Sequence, residues 1–184
     1  MKKNVVRSIM VCLVMVACNV ALFAQSDQKR SLSKELDIWV SKTEEHLVPA
    51  ANAMPENKFN FAPSNGEFSG VRSFGEQIKH LAATNYMLAS AVLGEKPPNQ
   101  EHDEMAPGPL KSKDQIMLYL RGSFAYLHRA AVAIEQNEQE TTLKAFDNRT
   151  RPGLIVDALC HSWDHYGKIV EYLRMNGIVP PASR

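Results

Sequence analysis

Cysteine is nearly missing from this chain: three occur in 184 residues, and two of them, Cys12 and Cys18, lie close to the N-terminus. Cys160 is the only thiol in the rest. That excludes a framework of intrachain disulfides and leaves stability to packing. A basic surplus is lacking too, with 21 Lys and Arg against 20 Asp and Glu. Nothing resembles the positive footprint that neutralises phosphates, so no nucleic-acid partner is expected. Nor is there strand-like alternation, an internal repeat or a low-complexity tract, which argues against a β-rich or solenoid architecture.

The most apolar run stands at the N-terminus. Lys2, Lys3 and Arg7 precede an apolar core from Ile9 to Ala17, and Val20 to Ala24 ends in a small residue before Gln25. This is the pattern of a secretory signal cleaved after Ala24, and it is short for a permanent anchor. An alternative is a lipoprotein signal, with Met15-Val-Ala-Cys18 as a loose lipobox and Cys18 as the anchor. Either way an exported protein is expected, periplasmic or secreted. Without residues 1–24 the chain keeps 18 basic and 20 acidic residues, a charge of about −2. Residues 25–184 are enough for one domain with a proper core.

That domain reads as all-α. Leu36, Trp39, Val40, Leu47 and Val48 recur at helical spacing and predict a first helix over 33–53. Ser73 with Glu76 forms a capping box for a second helix that stops at Gly94, with Pro97 and Pro98 beyond. Ser112 with Gln115 opens a third, whose apolar stripe is Ile116, Leu120, Phe124, Leu127, Ala131 and Ile134. A polar connection over 136–151 leads to Pro152 and a fourth helix, which runs to about Asn176 and ends at Gly177. Four helices, each with an apolar stripe, predict a four-helix bundle. The long connections 54–72 and 136–151 suggest crossovers. Loops 54–72 and 95–111 are expected to wall any pocket.

On the fourth helix His161 and His165 are four apart, within about 40° of each other around the axis. This is how one helix offers two neighbouring ligands to a metal, and neutral imidazole suits Zn²⁺, Ni²⁺ or Fe²⁺. A third ligand must come from elsewhere: His46, His80, His102 and His128 are the choices. His46 and His128 have charged neighbours and His102 lies among acids, whereas His80 stands on a helix that is apolar almost all round. A zinc-protease reading fails, because Ser162 stands where that motif needs glutamate. Asp164 is a candidate to accept a ring N–H, or it pairs with Lys168 one turn on. Tyr166 and Tyr172 can offer a phenol or simply pack. Cys160, about 100° from His161, reads as a small buried hydrophobe and not a ligand.

Two segments carry more than spacing. "MPENKFNFAPSNGEFSGVRSFGEQIKHLAATNYML", from Met54 to Leu88, and "HSWDHYGKIVEYLRMNGIVPPAS", from His161 to Ser183, resemble the DinB-like family of small helical-bundle metalloproteins. The resemblance spans nearly all of residues 25–184. It implies a divalent metal (Zn, Ni or Fe) held by His80, His161 and His165. It also implies an activity in the range of thiol-dependent S-transferases or hydrolases, on a small-molecule substrate that includes a low-molecular-weight thiol, and a homodimer. The alternative is a non-catalytic metal- or ligand-binding module. Whether the second and fourth helices run parallel or antiparallel stays open at this stage.

Overall fold

A computed structural model describes residues 30–63, 70–98, 110–135 and 142–184. The proposed signal segment, its cleavage site, Cys18 and His102 lie outside those residues. Four long helices carry the architecture: α1 (Leu32–Ala53), α2 (Phe74–Leu93), α3 (Lys113–Val132) and α4 (Arg151–Met175).

The helix starts follow local chemistry. Ser73 Oγ accepts from the Glu76 amide while the Glu76 carboxylate takes the Ser73 amide, and Ser112 and Gln115 repeat the arrangement. Each reciprocal pair satisfies two of the amides that a helix start leaves unpaired. Thr150 caps α4, which places Pro152 at the second helical position, one residue later than expected. Gly94 (φ 68°) and Gly177 (φ 73°) adopt the left-handed conformation that ends α2 and follows α4.

Specific contacts fix the directions of the helices. Lys113 Nζ, at the start of α3, donates to the carbonyls of Asn52 and Met54 at the end of α1 (2.7 and 2.9 Å), so α1 and α3 run oppositely. Arg129 reaches Glu95, so α2 and α3 end together and are parallel. Tyr172 Oη donates to the Arg72 carbonyl at 3.0 Å, so α4 runs antiparallel to α2. That settles the orientation the sequence left open. Helices α3 and α4 each pack on both α1 and α2, and α1 and α2 face one another across the diagonal.

The stripes meet in one core. Val40 and Leu47 of α1, Ile78 and Leu81 of α2, Leu120, Phe124 and Leu127 of α3, and Leu154, Ile169 and Leu173 of α4 are wholly shielded from solvent. Each such side chain stabilises the fold by roughly 1.5–3 kcal/mol over its exposed form. Among the described residues one feature departs from all-α expectation. Thr142–Leu143 (β1) pairs antiparallel with Arg149–Thr150 (β2) around a 3-10 turn, Lys144–Phe146. Asp147 and Asn148 close this small hairpin at φ 52° and 58°, a region that Asp and Asn tolerate better than most residues. Part of the connection expected over 136–151 is therefore ordered, and it lies against α4.

Candidate metal centre

His80 projects from the second turn of α2, and His161 and His165 from successive turns of the antiparallel α4. The three rings converge. Their centroids lie 5.0 Å (His80–His161), 5.0 Å (His80–His165) and 4.5 Å (His161–His165) apart. One nitrogen from each lies within 4.8 Å of the other two, and the His80 and His161 Nε2 atoms are separated by 3.2 Å. Two imidazole nitrogens bound tetrahedrally to one ion at 2.0–2.1 Å would stand roughly 3.3 Å apart.

Protonation points the same way. His165 is almost fully buried, and loss of hydration, reinforced by His161, Lys168 and His80, pushes its pKa down to about 3. Burial and then His80 lower that of His161. Both rings are therefore neutral at pH 7, each with a lone pair to give. The buried Nδ1 atoms of His161 and His165 have no hydrogen-bond partner. A 3.2 Å separation also suits one N–H···N bond, but such a bond satisfies two rings and leaves the third aside. A cation satisfies a lone pair from each. The donor set fits a divalent metal of borderline softness.

The remaining predicted residues separate clearly. Asp164 accepts from Lys168 on the exposed flank of α4, so the pairing option is the one observed; its carboxylate lowers the cost of charging the nearby rings only through space. His46 is exposed and meets Trp163 at a tilt and Tyr166 edge-on. His128 is held between Asp37 and Glu44 on the α1–α3 seam, away from the three rings. Tyr172 is engaged with Arg72, and Tyr166 lies in the His46 cluster. Cys160 is exposed, which corrects the expectation that it is buried. The buried direction of α4 lies to one side of His161 and Cys160 about 100° to the other.

A cleft of about 520 Å³ opens onto the centre. His80 and His161 line it, whereas His165 stands behind them. Thr84, Met87 and Leu88 of α2 form one wall, and Ala145, Phe146, Asp147 and Arg149 of the hairpin region form the other. Among the described residues the wall thus comes from the hairpin, not from the loops expected at 54–72 and 95–111. Asp157 also faces the cleft, with its carboxylate gripped by Arg149. Sequence reasoning missed Asp157, although it stands four residues before His161 and continues the spacing of the histidine pair.

A family model described as the DinB superfamily matches residues 40–169. The chain is also similar to a solved structure, titled as a conserved protein of locus from Enterococcus faecalis. That likeness has a TM-score of 0.65 at 17% identity over 79% of this chain and 97% of that one, and it concerns the fold alone. No curated protein matches the sequence.

Proposed function

Because the chain belongs to the DinB superfamily, a metal-binding family, we propose that it is a metal-dependent transferase or hydrolase of small molecules. The observation that carries this reading is the convergence of His80, His161 and His165 beside an open cleft that the first two of them line. A purely structural ion is usually closed off by four protein ligands, whereas three leave a position for substrate. A divalent ion held there supplies Lewis acidity, which lowers the pKa of a water or thiol and polarises an electrophile.

The chain's own groups do the rest. His80 and His161 present nitrogen at the cleft floor, and His165 secures the set from behind. Met87, Leu88 and Phe146 offer apolar surface to the body of a substrate and exclude water around it. Asp157, on the cleft wall one turn before His161, is paired with Arg149 and so is not free to act as a general base. That favours transfer to a co-substrate nucleophile such as a low-molecular-weight thiol over hydrolysis by an activated water. Action outside the cytoplasm accompanies this proposal, on the strength of the N-terminal signal pattern.

The test is elemental analysis of protein purified without an affinity tag, beside His161→Ala, followed by turnover assays. About one divalent ion per chain is expected, lost in the variant. Turnover of thiol conjugates or esters should stop on chelation and return with the ion. An ion whose removal unfolds the domain, with no turnover in a broad screen, supports a non-catalytic module instead.

A further inference from the structure

Among the described residues, a polar crossing runs through the apolar core next to the three histidines. Asn85 of α2, Ser123 of α3 and Ser162 of α4 are all fully buried. Ser162 Oγ donates to Asn85 Oδ1 at 3.4 Å, and Asn85 Nδ2 donates to Ser123 Oγ at 3.4 Å. Ser123 Oγ in turn donates to the Leu120 carbonyl at 2.8 Å. One amide is thereby gripped at both ends by the two helices that flank α2.

The positions of these residues matter. Ser162 is adjacent to His161 and three residues before His165, and Asn85 lies little more than one turn beyond His80. We infer that the Asn85 bridge to Ser162 and Ser123 is a positioning device, which fixes the register and rotation of α2 against α4 so that the three imidazoles converge on one ion. This rests on the metal-binding reading above.

The physical reason is that apolar packing alone specifies register weakly. Leu and Ile side chains on antiparallel helices tolerate small slides, because many interdigitations are nearly equivalent. A metal site does not: a one-residue slip moves a helix by about 1.5 Å and turns it by about 100°, whereas ligand distances are held to roughly ±0.2 Å. A buried amide with partners on both sides penalises every slip, because each leaves a polar atom unpaired in a dry core. Single buried asparagines fix helix register in coiled coils by the same logic. The crossing therefore serves geometry more than stability.

The test compares wild type with Asn85→Leu, Ser162→Ala and the double variant. Thermal unfolding is measured without metal, Zn²⁺ affinity by competition with a chromophoric chelator, and coordination geometry by the visible spectrum of the Co²⁺-loaded protein. Asn85→Leu is expected to bind Zn²⁺ at least tenfold more weakly and to give an altered Co²⁺ spectrum. Its metal-free unfolding temperature should fall, because Ser162 loses its acceptor, and the double variant, which removes both polar groups, should recover part of that loss. Ser162→Ala is nearly isosteric and keeps the test open if Asn85→Leu does not fold; it should weaken binding several-fold. The double variant should bind no more weakly than Asn85→Leu, because the two residues act as one unit. Variants that bind Zn²⁺ like wild type with an unchanged Co²⁺ spectrum, or losses that simply add, overturn the inference while leaving the metal reading intact. A wild type that takes up no ion overturns both.

Discussion

His80 and His161 face each other nitrogen to nitrogen, although 81 positions separate them in the chain. Two neutral rings gain little from such an approach unless a proton or a cation stands between them. Replacing either one removes a nitrogen donor from the set of three. His80→Ala and His161→Ala should each lower Zn²⁺ affinity by two or more orders of magnitude, read by chelator competition. His165→Ala, which removes the rear ligand, should do the same.

The depressed pKa of His165 makes the metal-free protein acid-sensitive. The unfolded ring takes its proton near pH 6.5, whereas the folded ring resists it down to about 3. Between those values the unfolded state binds more protons, so stability falls as the pH drops through the window. Urea titrations of metal-free protein at pH 7.5 and pH 4.5 should show the acid midpoint clearly lower. His165→Gln should flatten much of that difference.

The capping box at Ser73 is local and separable from the site. Its hydrogen bonds, first from the Ser73 amide and then from the hydroxyl, hold the Glu76 carboxyl below its ordinary range. Ser73→Ala should cost about 1 kcal/mol. A denaturant curve at neutral pH reads the loss, and zinc affinity of the folded protein should change little.

Arg149 ties the hairpin to Asp157 in a half-exposed pair. Arg149→Ala should cost less than about 1 kcal/mol in stability, as surface pairs do, but it frees the carboxylate in the cleft. The expected result is earlier proteolytic nicking within 142–150, and a gain in ester hydrolysis relative to thiol transfer. Both can be followed on one preparation.

The parts that could be read from the sequence are those written within a few residues of one another. The capping boxes, the glycine stops and the apolar stripes each carry their own physics. The bundle was therefore legible, as was the pairing of His161 with His165 on one face. The antiparallel approach of α2 to α4 was not, because the side chains that impose it, such as Tyr172 on Arg72, lie 100 residues apart. The hairpin was missed because strands of two residues give no alternation to detect. Cys160 was misread because the burial of free cysteine is only a general tendency; its place about 100° from His161, on the side away from the core, puts it on the exposed face.

The scarcity of cysteine takes on another meaning once the centre is in view. An ion shared by residues 80 and 161 would tie a loop of 81 residues, removing about 4.5 kcal/mol of conformational freedom from the unfolded chain on the entropic account of cross-links. Such a tie can be put in place after folding and withdrawn by a chelator or by acid, which a covalent staple between sulfurs does not permit. The bundle would thus be tightened or relaxed by the supply of metal around it, with no change in any covalent bond.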